Sequence, residues 1–220
     1  MKQLNELNEK ELVSKHQSKA ADSFTTKFNL YLFDCWLKNP NIFDLSLLDE
    51  AKFDEFILTD KLIEYYTTYY WQELVEETLI NNRSIKDTWY ALDEFKKKYE
   101  DVINNLKRHY IDGFKRVFPF EAFRKLLIVP KEEYKCHYCN ITIDKIIELA
   151  EKKQLFKKQL TRGFVIEIDR IRPNEEYKED NCVLCCYWCN NAKTDEFTGE
   201  EFEQIGKEIE KVWRNRLQKK

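Results

Sequence analysis

Glycine, histidine and long apolar runs are all scarce in this chain of 220 residues. There are four glycines and three histidines, and no apolar stretch reaches the roughly 20 residues that a membrane-spanning helix needs. The first ten residues have no apolar segment of the kind found in secretion signals. Because 43% of the residues are hydrophobic and 15% are aromatic, the chain can bury a core. We expect a folded protein that lies in the cytoplasm and does not bind membranes.

A strong excess of positive charge is also lacking, since the formal net charge is −3. This value excludes a uniformly basic coat for nucleic acid, although a local basic groove remains compatible with it. The chain has seven cysteines, and all except Cys35 lie between residues 136 and 189. An odd, clustered set of cysteines without a secretion signal argues against a disulfide framework and favours reduced thiolates on a metal.

The first 130 residues have the pattern of a helical domain. They contain a single glycine, Gly113, and apolar residues recur at helical spacing over residues 8–37, 59–81, 84–112 and 120–128. Aromatic residues at 65–71 follow the same spacing, and we interpret them as core rather than as a base-stacking surface. We predict a helical domain over 1–130 that binds substrate or a protein partner, and a second domain over 131–220.

The second domain has a different pattern, with short β-branched segments between helices. It predicts a helix over 142–158, strands over 164–171 and 181–185 joined by a loop, and helices over 186–195 and 200–218. The predicted fold class is therefore mainly α, with a helical N-terminal half followed by a ββα module held together by zinc.

Two Cys-x-x-Cys pairs are the strongest motif in the chain. The pairs Cys136-His-Tyr-Cys139 and Cys186-Tyr-Trp-Cys189 can place four thiolates tetrahedrally around one structural zinc ion. Cys182 and Cys185 have the same spacing but fall in a predicted strand, where we interpret them as small buried hydrophobes. An iron–sulfur cluster is the alternative use of four such thiolates.

The residues between and after these pairs resemble the zinc-knuckled branch of the HNH endonucleases. The matching strings are Glu167-Ile-Asp169-Arg-Ile-Arg-Pro173, Asp180-Asn181-Cys-Val-Leu and Cys186-Tyr-Trp-Cys189-Asn190-Asn-Ala-Lys193, within residues 131–203. The resemblance implies a ββα-metal fold and metal-dependent hydrolysis of phosphodiester bonds, with DNA as the expected substrate.

The resemblance also implies roles for individual side chains. Asp169 and Asn190 match the ligands of a catalytic divalent ion, Mg²⁺ or Mn²⁺, which prefers oxygen ligands of these types. Asn181 matches the residue that braces the loop between the strands and orients the base. Lys193 and Arg172 match positions where a basic side chain can face phosphate.

The chain departs from the family at Arg170, because the family has its general base, a histidine, at this position. An arginine stays protonated at physiological pH and cannot accept a proton from water. Arg170 could instead stabilise charge on the transition state. Glu167 lies two residues before Asp169 and therefore shares its strand face. It could act as the base, as a further ion ligand, or as a salt-bridge partner.

Three hypotheses about function follow. The leading one is an HNH-type endonuclease, which by resemblance serves as a phage-defence effector with a protein partner such as an ATPase. The second is a catalytically inactive, zinc-stapled nucleic-acid-binding or adaptor module. The third is a scaffold whose aromatic helices bury a partner.

Overall fold

The described part of the chain is mainly helical and contains one small sheet. The computed structural model describes residues 9–39, 41, 43–64, 66–68, 84–156 and 163–219. Residues 60–64 and 66–68 are helical, and the other α-helices are α1 (Glu9–Lys38), α2 (Glu50–Glu55), α3 (Ile85–Lys98), α4 (Glu100–Val117), α5 (Phe120–Leu127), α6 (Ile143–Glu151), α7 (Tyr187–Lys193) and α8 (Gly199–Leu217). The two strands are β1 (Ile166–Arg170) and β2 (Cys182–Cys186). None of the described helices has the length and apolar character needed to cross a membrane.

The residues divide into two compact units. One unit comprises the described part of residues 15–117, and the other comprises residues 9–14 together with the described part of 118–219. Helix α5 lies with the C-terminal residues in this division, whereas our predicted domain boundary at residue 130 follows that helix. The two units are described separately below.

Aromatic side chains fill the core of the unit formed by residues 15–117. Phe24 and Phe28 are four residues apart on α1, so their rings lie on one helix face and stack at 5.2 Å. Phe53 meets both rings edge-on from α2, and Tyr110 of α4 meets Phe53 edge-on in turn. Aromatic rings in such offset or edge-to-face pairs add stabilisation beyond the area they bury.

The predicted helix over 59–81 lies largely outside the described residues. Tyr66 is the one described member of its aromatic stripe, and its ring centre lies 5.0 Å from that of Phe33 and 6.2 Å from that of Trp89. At this position the stripe belongs to the core, as we predicted.

The segment predicted as one helix over 84–112 forms two helices instead. Ser84 caps α3 by accepting a hydrogen bond from the backbone N–H of Asp87 at 3.1 Å. The helix ends at Tyr99, whose φ of −118° and ψ of 27° are not helical. Its ring packs edge-on against Phe95 at 5.0 Å. Periodicity alone does not reveal such a break, because α4 continues the apolar pattern.

The C-terminal unit contains the antiparallel hairpin of β1 and β2. Ile166 pairs with Cys186 at one end of the hairpin and Arg170 pairs with Cys182 at the other. Helix α7 follows β2 without a loop, because Cys186 both ends the strand and caps the helix. This arrangement is the predicted strand–loop–strand–helix order.

Helix α6 ends seven residues before the predicted position at Lys158. Lys153 has a φ of 55°, and its N–H donates to the carbonyl of Ala150 while that of Gln154 donates to Leu149. This pair of bonds is a Schellman motif, which usually has glycine at the left-handed position. The lysine in that place carries no sequence signal for a helix end.

The glycines of α8 and α4 provide a matched test of packing. A Cβ at Gly206 would lie 2.7 Å from the backbone oxygen of Tyr138, whereas one at Gly113 would meet nothing closer than 3.6 Å. We expect Gly206→Ala to reduce the free energy of unfolding by about 1–3 kcal/mol, because α8 must move away from the backbone of Tyr138. Gly113→Ala should raise it by up to about 1 kcal/mol through helix propensity. Urea unfolding followed by circular dichroism, with zinc present throughout, measures both. Equal effects of the two substitutions would contradict this account of Gly206.

Candidate functional site

Four cysteine thiols converge inside the C-terminal unit. Cys136 and Cys139 lie in a tight turn, Cys186 lies at the junction of β2 and α7, and Cys189 lies in the first turn of α7. Their sulfur atoms all lie within 4.8 Å of one another, and all four residues are buried. Among the described residues, this is the one cluster of at least three His, Cys, Asp or Glu ligands. It is the predicted set of cysteines.

The spacing of the sulfurs suits one tetrahedral ion. Zn–S bonds of about 2.3 Å place the sulfurs of a tetrahedron about 3.8 Å apart. The Cys139 and Cys186 sulfurs are separated by 3.7 Å. The thiols also perturb one another: hydrogen bonds from neighbouring thiols lower the pKa of Cys136, while Cys136 raises the pKa of Cys189. Thiolates this close cannot all ionise without a cation, and a metal ion such as Zn²⁺ would supply the missing charge.

Backbone hydrogen bonds fix the first cysteine pair against the sheet. The N–H of Cys136 donates to the carbonyl of Ile141 at 3.0 Å, and the N–H of His137 donates to that of Leu184 in β2 at 2.8 Å. Asn140 closes the turn with a φ of 55°, a conformation that asparagine tolerates better than most residues. These hydrogen bonds fix the distance between the cysteine turn and strand β2.

The two remaining cysteines of this unit are not members of the cluster. Cys185 is fully buried and its thiol contacts the carbonyl of Cys186 at 3.4 Å. Cys182 is also buried, at the opposite end of β2. Both are buried in a strand, as predicted, but Cys185 also hydrogen-bonds to Cys136 of the cluster, and this bond raises the pKa of the Cys185 thiol.

Asp169 belongs to a buried polar network. Its Oδ2 accepts a hydrogen bond from the Tyr138 hydroxyl at 2.8 Å and lies 3.3 Å from the ammonium of Lys193. That ammonium also donates to the carbonyl of Arg170 at 2.8 Å. Burial raises the pKa of Asp169, and the charge of Lys193 opposes that rise. Lys193 has no exposed surface, so the ammonium that we expected to face phosphate points into the protein.

Glu167 and Asn190 form a second pair beside this network. Asn190 Nδ2 donates to Glu167 Oε2 at 2.7 Å, and both residues are partly exposed. Glu167 and Asp169 are two residues apart and therefore share one face of β1. Asn190 and Lys193 are three residues apart and therefore share one face of α7. Each strand residue therefore meets one helix residue. The predicted ion ligands Asp169 and Asn190 lie on β1 and α7 respectively and have different partners, Asp169 contacting Tyr138 and Lys193 and Asn190 contacting Glu167.

Asn181 holds the loop between the strands. Its Oδ1 accepts from the N–H of Arg172 at 2.8 Å, and its Nδ2 donates to the carbonyls of Arg172 and Glu176, both at 3.1 Å. The residue is completely buried. An amide is well suited to this place because it supplies donor and acceptor together.

The two arginines near the hairpin have different surroundings. Arg172 pairs with Glu175 and lies 3.6 Å from Asp180, all on its own loop. Hydrogen bonds from Arg172 and Lys178 lower the pKa of Glu175 to about 2. Arg170 instead reaches Asp195, beyond the end of α7, at 2.9 Å.

Tyr138 and Asp195 are site residues that sequence reasoning missed. Tyr138 stands between the two cysteines of the first pair, and this position in the motif is a signal for it because it places the side chain close to the thiols. Asp195 lies two residues after Lys193 and carries no motif. Its contact with Arg170 depends on how the chain leaves α7.

Comparison with known proteins returns no relative. No protein-family model, no curated protein and no solved structure matches this chain.

We expect Cys189→Ser to remove the bound zinc and unfold the C-terminal unit, because structural zinc binding contributes about 10–16 kcal/mol of folding free energy. Cys182→Ser is the matched control: it changes a buried cysteine outside the cluster and should retain one zinc per chain. Zinc content by mass spectrometry and unfolding by circular dichroism measure both. A folded Cys189→Ser protein without metal would contradict the zinc assignment.

Lys193→Met should destabilise the protein by about 3–5 kcal/mol, because it leaves the buried carboxylate of Asp169 without its cation. The double variant Lys193→Met with Asp169→Asn should recover part of that loss, since the amide oxygen still accepts the Tyr138 hydroxyl. A double-mutant cycle in urea measures the coupling. Additive effects would mean that the two side chains do not interact.

Proposed function

We propose that the protein is a metal-dependent endonuclease of HNH type that hydrolyses phosphodiester bonds in DNA. One observation carries the proposal. The strand face with Glu167 and Asp169 is covered by the helix that carries Asn190, and this helix begins at the cysteine cluster. Side-chain oxygens of three residues are thereby gathered on a frame that zinc would make rigid.

The oxygens on this face suit Mg²⁺ or Mn²⁺, which take carboxylate and amide ligands. Asp169 would hold such an ion through its carboxylate, whose Oδ2 already contacts Tyr138 and Lys193. Asn190 would supply the second protein ligand, with Glu167 beside it. A bound ion of this kind polarises the scissile phosphate and stabilises the leaving oxygen.

Glu167 is the best candidate for the general base. It is a partly exposed carboxylate that hydrogen-bonds to Asn190 and can accept a proton from water, which Arg170 cannot. Arg170 keeps its positive charge and can stabilise the phosphorane-like charge of the transition state. Asn181 acts indirectly by holding the loop that follows β1.

The alternative is a catalytically inactive, zinc-stapled module that binds nucleic acid or a protein. A specific observation favours it: the ammonium of Lys193 already neutralises Asp169 inside the protein. In an inactive site, a lysine can neutralise the carboxylate that an ion would otherwise hold. The arginine at position 170, where the HNH family has its histidine base, agrees with this alternative.

The biological setting is also a proposal. The resemblance to HNH proteins suggests a phage-defence effector in the cytoplasm, in which the helical N-terminal half docks substrate or a protein partner. Exposed apolar side chains in that half, such as Ile57 at 75% and Tyr90 at 62% exposure, are suitable contacts for either.

The test is cleavage of supercoiled plasmid by purified protein with Mg²⁺ or Mn²⁺. We expect nicking that requires the divalent ion and falls at least about 100-fold in Glu167→Gln and Asn190→Ala, which remove a base or an ion ligand. Glu179→Gln, on the loop between the strands, is the matched control and should cleave like the wild type. Zinc content of each variant verifies that the fold is intact.

Absence of cleavage in either ion, together with salt-sensitive DNA binding, would contradict the nuclease and support the inactive binding module. Cleavage that persists in both variants would assign the chemistry to other residues.

A further inference from the structure

We propose that Arg170 is a binding site for a nucleic-acid phosphodiester and that Asp195 occupies its guanidinium until the phosphate replaces the carboxylate. The inference rests on the proposed function in that its ligand is nucleic acid. It adds a residue, Asp195, that controls access to the site.

The guanidinium of Arg170 is held in a fixed orientation. It lies over the ring of Tyr177 at 5.0 Å, and its Nη1 donates to the carbonyl of Glu175 at 3.2 Å. The side chain is only 18% exposed. A planar guanidinium stacked on an aromatic ring loses little entropy when it binds an oxyanion, and its fork of donors matches phosphate.

One edge of this guanidinium contacts a carboxylate that is open to solvent. Arg170 Nη2 donates to Asp195 Oδ1 at 2.9 Å, and the side chain of Asp195 is 82% exposed. An ion pair with so exposed a partner contributes about 0–1 kcal/mol. A phosphodiester, which presents the same charge and acceptor type, can therefore displace it at low cost.

The backbone before Asp195 is strained. Thr194 has a φ of 56° and a ψ of −153°, a region that is essentially restricted to glycine and costs of order 1–3 kcal/mol for other residues. This conformation ends α7 and directs the chain so that Asp195 reaches Arg170. Strain of this kind persists where the surrounding structure requires it, and it is concentrated at functional sites.

The other basic side chains of the loop differ from Arg170. Arg172 and Lys178 each contact both Glu175 and Asp180, so these charges neutralise one another within the loop. Asp180 is 70% exposed, close to the value for Asp195. Asp180→Asn therefore changes the net charge by the same amount at a similarly exposed position without touching Arg170.

The experiment measures binding without cleavage. A short fluorescent DNA duplex, and an RNA duplex of the same sequence, are titrated with the zinc-loaded full chain in the absence of added Mg²⁺ or Mn²⁺. The salt concentration is about 0.15 M, where distant surface charges are screened. The variants are Asp195→Asn, Asp180→Asn, Arg170→Gln and the double variant Arg170→Gln with Asp195→Asn. Zinc content verifies that each is folded.

We expect Asp195→Asn to bind about three- to fivefold more tightly, because the competing carboxylate is gone. Asp180→Asn should change affinity by less than about twofold. Arg170→Gln should bind about tenfold more weakly through loss of a charged hydrogen bond to phosphate. In the Arg170→Gln background, Asp195→Asn should give no gain. This last result is specific to competition for one guanidinium, since a general charge effect would persist.

Equal effects of Asp195→Asn and Asp180→Asn would overturn the inference, as would a gain from Asp195→Asn that survives without Arg170. Failure of the wild type to bind either duplex would also overturn it. The expected pattern in a protein that does not cleave plasmid would support this site while contradicting the nuclease. Plasmid cleavage by a protein whose variants do not show the expected binding pattern would support the nuclease and contradict the Arg170 site.

Discussion

Four thiols converge where β2 meets α7, and the geometry of the C-terminal unit depends on what holds them together, for which a metal ion such as zinc is suited. A two-stranded hairpin is at best marginally stable in water, and β1 and β2 are the whole sheet of the described residues. Cys186 ends the strand and caps the helix, so a metal at this residue fixes the angle between them. This junction alone would place the face of β1 that carries Glu167 and Asp169 against the face of α7 that carries Asn190 and Lys193.

The polar contacts of β1 with α7 and the residues after it differ in how deeply they are buried. The innermost pair, Asp169 with Lys193, is buried and also bonded to Tyr138 in the cysteine turn. The Glu167–Asn190 pair is partly exposed. Arg170 lies at the end of the strand, where its partner Asp195 is in solvent. Buried ion pairs are costly to break and exposed ones are not. The first pair therefore supports the structure, whereas in our proposals the outer two positions exchange their partners for an ion or a phosphate.

Local patterns predicted much of this arrangement, and long-range contacts account for the rest. The spacing of the cysteines predicted the cluster, because ligand geometry is a local property of Cys-x-x-Cys turns and a helix start. Alternation along β1 predicted that Glu167 and Asp169 share a face. The inward direction of Lys193 was not predicted, since a lysine is rarely buried without a partner and its partner lies 24 residues earlier in the sequence. The early end of α6, which the left-handed Lys153 follows, and the end of α7 at Thr194 were not predicted for a related reason. Both use positive φ at residues other than glycine, which only the surrounding structure can impose.

The central claim is that one zinc ion, held by the four cysteines, organises the unit that carries the candidate site. X-ray absorption at the zinc edge, on protein purified without added metal, tests this most directly. The account predicts one zinc per chain with four sulfur neighbours at about 2.3 Å. Nitrogen or oxygen neighbours in place of sulfur, or a folded protein that contains no zinc, would contradict it.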